Sequence, residues 1–218
     1  MKRIVFIISV FCVSIQSINA QIIISNDTTT CGNYSDTLQA LSEELTTLDA
    51  DDIHDSIPRS IGFLFDFYGV SYTSCVISAN GYITFDITQA GQGSPWVINT
   101  PIPNPGVVPE NAIMAPWQDI LPGLPPNNNI TFGTTGLAPN RRFMVTWCEI
   151  PMFSCTWDLH TSQIVLHEGT NKIEMFLKDK HLCLSPPNTS TWNGGAAIQG
   201  LVDATSTNFD IVTDPLTG

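Results

Sequence analysis

Residues 74–86 read SCVISANGYITFD. The pair Asn80–Gly81 stands between two short runs of β-branched and aromatic residues. That is the strongest local signature of a β-hairpin with a two-residue type I′ turn, in which both central residues take positive φ. With those two as the turn, Ala79 faces Tyr82, Ser78 faces Ile83, Ile77 faces Thr84 and Val76 faces Phe85. Directly opposed residues share a sheet face. This register therefore gathers Val76, Ile83 and Phe85 on a core side and turns Cys75 outward.

Outward from the hairpin the chain continues as strand and turn. Residues 61–68, 112–115, 130–132, 142–150, 161–168, 172–177 and 196–203 read as further strands, separated by Gly-, Pro- and Asn-rich connectors such as NTPIPNPGVVPEN and LPGLPPNNN. Prolines at that density are excluded from central strands. Short strands punctuated in this way predict an all-β fold, an antiparallel two-layer β-sandwich. A second hairpin is expected around EGTNK (168–172), closing the core opposite the first, with Phe65, Val76, Ile83, Phe85, Val145, Trp147, Ile164 and Leu166 inward. The one helical signal is TLQALSEELTTL (37–48), where Leu38, Leu41, Leu45 and Leu48 fall at helical spacing. The expectation is at most one short helix, near the N-terminus, with a leucine-rich extended edge as the alternative reading of the same segment.

The first residues bear on the compartment. Met1-Lys2-Arg3 is a positive n-region, 4–13 a short apolar run, and 14–20 a more polar stretch ending at Ala20. This predicts a signal peptide over 1–20, a lead-in segment over 21–57, and a sandwich domain over 58–218 that is cut within its C-terminal end. The apolar run is shorter than the roughly 20 residues a membrane-spanning helix needs, so no membrane insertion is expected after cleavage. Losing Lys2 and Arg3 takes the formal charge from −12 to −14. With no basic stripe to neutralise phosphates, nucleic-acid binding is set aside.

Five cysteines follow the signal: Cys31, Cys75, Cys148, Cys155 and Cys183. In an oxidising compartment they read as disulfides before metal ligands, and no CxxC or His-rich spacing argues for zinc. Cys155 follows one strand and Cys183 follows the hairpin that returns beside it, which favours a Cys155–Cys183 pair. Cys31–Cys75 is the second candidate pair, with Cys148 the odd thiol.

Catalytic motifs are sparse. The four histidines stand apart from any nucleophile motif, and GxSxG, HExxH and phosphate-loop patterns are missing. Asp119 and Glu168 are the two carboxylates that a glycosidase reading would use. The reading that both are structural, Asp119 in a turn and Glu168 at a strand end, outweighs it. No cofactor is expected: the acidic loop Asp49, Asp51, Asp52 and Asp55 is the best candidate for calcium, with hard oxygen ligands but no EF-hand spacing, and a solvated acidic turn is the default reading.

The order of motifs is similar to a known family. IGFLFDFYGVSYTSCVISANGYITF (61–85), AIMAPWQDI (112–120), RFMVTW (142–147) and SQIVLHE (162–168) resemble the extracellular domain first known from nidogen. SCVISANG, APWQDI, IPMFSC, TSQIVLHEGTNKIEM and the looser HLCLSPPNTSTWNGGAAIQGLV further resemble the N-terminal module of large surface proteins of gliding and related Bacteroidetes. The resemblance implies a secreted or cell-surface adhesion or interaction module, without catalysis, whose partner is an extracellular protein or glycan. The alternative is a secreted carbohydrate-active enzyme or carbohydrate-binding domain. The Bacteroidetes likeness also implies O-glycosylation at Asp-Ser/Thr sites, such as Asp55-Ser56.

Overall fold

The computed structural model describes residues 20–23, 39–42, 44–46, 48, 50–124, 130–180, 182–183 and 195–212. The strands are β1 Ala20–Ile23, β2 Gln39–Ser42, β3 Glu44–Leu45, β4 Arg59–Phe67, β5 Val70–Ile77, β6 Tyr82–Thr84 and β7 Ala112–Trp117. They continue as β8 Ile130–Thr135, β9 Arg142–Met152, β10 Cys155–His167, β11 Ile173–Asp179, β12 Ile198–Val202 and β13 Phe209–Ile211. They build a six-stranded sheet in the order β13-β12-β7-β6-β5-β4, a five-stranded sheet in the order β11-β10-β9-β8-β3, and a small β1-β2 pair. Every pairing is antiparallel.

The two large sheets enclose the main core. Phe63, Phe65 and Phe67 of β4 meet Phe143, Val145 and Trp147 of β9, with Ile164 and Leu166 of β10. Alternation is strict along β4, whose intervening Ser60, Gly62, Leu64 and Asp66 are exposed. That is the pattern of a strand with one dry and one wet face. The two predicted hairpins do lie in opposite sheets, the first in the six-stranded and the second, β10–β11, in the five-stranded.

The strand β7 breaks the alternation, since all six residues of AIMAPW are buried. The connector 87–111 covers the outer face of its sheet, where Ile98, Ile102 and Val108 pack on Tyr82, Met114 and Trp117 as a second core. A strand with two dry faces reads as a continuous apolar run. Pro116 sits inside this central strand where the β7–β12 register slips between Ile198 and Gly200, the kind of irregularity that tolerates a missing amide donor.

The hairpin register differs from the expected one. Val76 opposes Thr84 and Ile77 opposes Ile83, while Ser78 N donates to Tyr82 O at 2.9 Å. The loop is therefore the three residues Ala79, Asn80 and Gly81, and only Gly81 has positive φ, +80°. Three-residue hairpin loops commonly end in such a left-handed residue. Contacts from β7 and the residue after it hold it: Ala115 N donates to Gly81 O at 3.0 Å and Gln118 N to Asn80 O at 3.2 Å. A shift of one residue exchanges the faces. Cys75 thus joins Ile77, Ile83 and Phe85 in the main core, and Tyr82 joins the second. Val76, expected inward, is buried on the side away from the main core.

The segment with helical leucine spacing takes its alternative form, an extended edge. Its described part forms β2 and β3, and Glu44 and Leu45 pair with Phe132 and Thr131 at the edge of the five-stranded sheet. An isolated helix of about 12 residues is marginal in water, whereas this path gains ladder bonds and buries Leu48 in the main core. Among the described residues the helical content is a single 3₁₀ turn, Ile87–Gln89, capped by Asp86, whose side chain accepts from Thr88 N.

Candidate functional site

The tip of the first hairpin organises a polar network at one end of the six-stranded sheet. Its members Ser78, Asn80, Ser94 and His54 are almost fully buried, so each must be hydrogen-bonded. The proton order follows from the acceptors. Gln92 O can only accept, so His54 Nδ1 donates to it at 3.2 Å. His54 Nε2 then accepts from the Tyr82 hydroxyl at 2.7 Å. Tyr82 in turn accepts from Ser94 at 3.1 Å, and Ser94 from Ser78 at 2.7 Å. Burial lowers the His54 pKa, which keeps the imidazole neutral, and raises that of Tyr82. The network is satisfied and neutral. His54 has no spare lone pair with which to act as a general base.

Beside it lies an acidic cluster. Carboxylate oxygens of Asp51, Asp52 and Asp119 lie within 4.8 Å of one another, and Asn80 Nδ2 donates to Asp52 Oδ1 at 2.9 Å. Burial, reinforced by the charge of Asp52, lifts the Asp51 pKa to about 6. Burial also raises that of Asp52, against the Asn80 hydrogen bond. Like charges held this close disfavour ionisation. The donor set is of the hard-oxygen kind that suits calcium, although calcium takes six to eight oxygens and three side chains supply only part of that shell.

Of the loop residues predicted for calcium, Asp51 and Asp52 converge, and Asp119 joins them from beyond β7. Asp55 does not. It is buried and bound by Arg59, with Nε to Oδ2 at 2.7 Å and an Nη to Oδ1 at 3.0 Å. Asp49 lies outside the described residues. The part played by Asp119 had no local signal, because its partners are distant in the chain.

The glycosidase pair is not assembled. Asp119 O accepts from Phe153 N at the β9–β10 turn, whereas Glu168 follows the far end of β10 and binds Arg141 through both carboxylate oxygens. Thirteen residues of β10 separate those ends, on the order of 40 Å at about 3.3 Å per residue. Paired glycosidase carboxylates lie within roughly 10 Å.

The connector that covers the second core also walls an open cleft of about 540 Å³. His54, Tyr82 and Ser94 line it, with Trp96 and the carboxylates Asp86 and Glu110. Trp96 is 37% exposed. Hydrogen bonds, foremost from Thr88, hold the Asp86 pKa below the usual carboxylate range. Asp51, Asp52 and Asp119 do not line this cleft.

Cys155 and Cys183 form a disulfide, with Cα atoms 5.4 Å apart. Cys75 is a buried free thiol, so the Cys31–Cys75 pairing does not hold. The register explains this, since the actual face of Cys75 is the intersheet core. Cys148, expected to be the odd thiol, is disulfide-bonded, and its partner lies outside the described residues. Burial, with the nearby charge of Asp55, pushes the Cys75 thiol well up.

With this sandwich and its hairpin-tip site in place, the family comparison defines the class. A family model described as NIDO related matches residues 27–216, and the chain belongs to that family, a nidogen-like extracellular module. No curated protein and no solved structure gives a significant match. Among the described residues no helix is long and apolar enough to cross a membrane. The segment read as a signal peptide lies, apart from Ala20, outside the described residues.

Proposed function

We propose that the chain is an exported adhesion or interaction module of the cell surface, without catalysis, which engages an extracellular partner at the cleft over the six-stranded sheet. The observation that carries this reading is the construction of the cleft. An exposed tryptophan, Trp96, lines it together with His54, Tyr82 and Ser94, whose hydrogen bonds are already satisfied within the protein. Such a lining offers shape and fixed dipoles to a partner. An aromatic side chain with an apolar body and a polar tip is the usual anchor of a binding surface. Membership of a nidogen-like extracellular family supports the same reading.

The test uses the mature chain against arrays of extracellular proteins and glycans. Binding should be lost on Trp96→Ala and retained on Trp157→Ala, an exposed tryptophan that does not line the cleft. Ligands captured equally by both variants would refute the assignment to this cleft.

A further inference from the structure

The cleft is one-sided in charge. Asp86 and Glu110 line both it and the adjoining depression beside Phe85 and Ala204. Among the described residues no lysine or arginine lines either space. Both carboxylates are fixed from behind. Asp86 accepts from Thr88 N at 3.0 Å, Thr88 Oγ1 at 2.6 Å and Gln89 Nε2 at 3.3 Å. Glu110 Oε1 accepts from Gly106 N at 2.9 Å and from Ser206 Oγ at 3.1 Å. The hydrogen bonds to Glu110 fall on Oε1, leaving the lone pairs of Oε2 for a ligand.

We propose that this cleft selects a cationic side chain, the ammonium of a lysine or the guanidinium of an arginine, on an extracellular polypeptide. The inference rests on the cleft being the binding site. Two carboxylates lining one cleft cost desolvation when a neutral ligand covers them, and a cation offsets that cost. An indole face adds attraction for the same charge. The formal charge of −12 steers cations toward the molecule from a distance.

The test compares the pentapeptide Ac-Gly-Arg-Gly-Arg-Gly-amide with its citrulline counterpart, which keeps the shape and removes the charge, and with a neutral hexasaccharide. Binding to the full mature chain is read by calorimetry. The arginine peptide should bind at least about tenfold more tightly than the citrulline peptide, the order expected for a charged hydrogen bond. Glu110→Gln, which keeps the Oε1 acceptor, and Asp86→Asn, which keeps the acceptor for Thr88 and gives up the one for Gln89, should each lower its affinity about tenfold. Glu149→Gln, the same charge change at an exposed position outside the cleft, should leave it unaltered. Equal loss from Glu149→Gln would overturn the proposal by showing only diffuse attraction. Hexasaccharide binding that survives both cleft variants but not Trp96→Ala would overturn the cationic ligand while leaving the cleft as the site. Arginine-peptide binding unaffected by Trp96→Ala, Asp86→Asn and Glu110→Gln would overturn both.

Discussion

Asn80 Nδ2 donates to Asp52 Oδ1 at 2.9 Å, so the tip of the first hairpin is tied to the acidic turn ahead of β4. The same side chain accepts from Ile120 N at 3.4 Å, joining three segments through one buried amide. Asn80→Ala removes the tie, taking the acceptor from the buried Ile120 N–H and the donor from the part-buried Asp52 Oδ1. A loss of about 2 kcal/mol is expected, read as a lower urea midpoint at unchanged slope.

The neighbouring glycine should be less forgiving. A Cβ on Gly81 would stand 2.3 Å from Pro116 O, at a φ of +80°. Gly81→Ala combines a backbone clash with a strained conformation, and about 3 kcal/mol or more of destabilisation is expected in the same denaturation series.

Non-reducing peptide mapping should recover Cys155 joined to Cys183 and Cys75 as a free thiol. Replacing both Cys155 and Cys183 with serine frees a loop with a sequence separation of 28, for which the chain-entropy relation gives about 3–4 kcal/mol. Cys75 should resist iodoacetamide in the native protein and react once urea unfolds it, because its thiol is both buried and held protonated.

The acidic cluster predicts a pH dependence of definite sign. The Asp51 pKa rises on folding from 3.8 to about 6, so its contribution is complete below the unfolded value and is lost as pH climbs through 6. Solvent screening of a half-exposed carboxyl reduces the effect to about 1 kcal/mol. His54 works in the opposite sense, because its lowered pKa makes folding more favourable as pH rises toward its unfolded value. The difference between wild type and Asp51→Asn isolates the aspartate. In metal-free buffer the variant should gain about 1 kcal/mol relative to wild type between pH 4 and 7.

Trp147 links the sheets by a hydrogen bond as well as by packing, since its Nε1 donates to Ser78 O at 3.0 Å. Trp147→Phe keeps an aromatic ring, opens a small void and removes that donor. Thermal and urea unfolding should report a loss of about 2–4 kcal/mol.

The sequence by itself determined the class of fold and most of the core. Seven of the eight residues expected inward lie in the intersheet core, because alternation along a strand is a local property that two-residue periodicity encodes directly. The exception, Val76, marks where local reading ended. Asn-Gly fits a two-residue and a three-residue loop alike, and the choice was made by Gly81 and Asn80 bonding to Ala115 of β7 and to Gln118 just after it. The leucines of 37–48 satisfied a helical period, but the free edge of β8 offered Glu44 and Leu45 a ladder. The acidic cluster was half legible: Asp51 and Asp52 are adjacent in sequence, and only folding brought Asp119 to them. The cleft was not legible at all, because the Pro-rich connector carries no periodicity and acquires its meaning from the sheet it covers. Neighbouring residues fix backbone conformation and the side to which a chain points. Contacts between distant segments fix which loop length, which edge and which carboxylates meet, because their energies exist only once the sheets have closed.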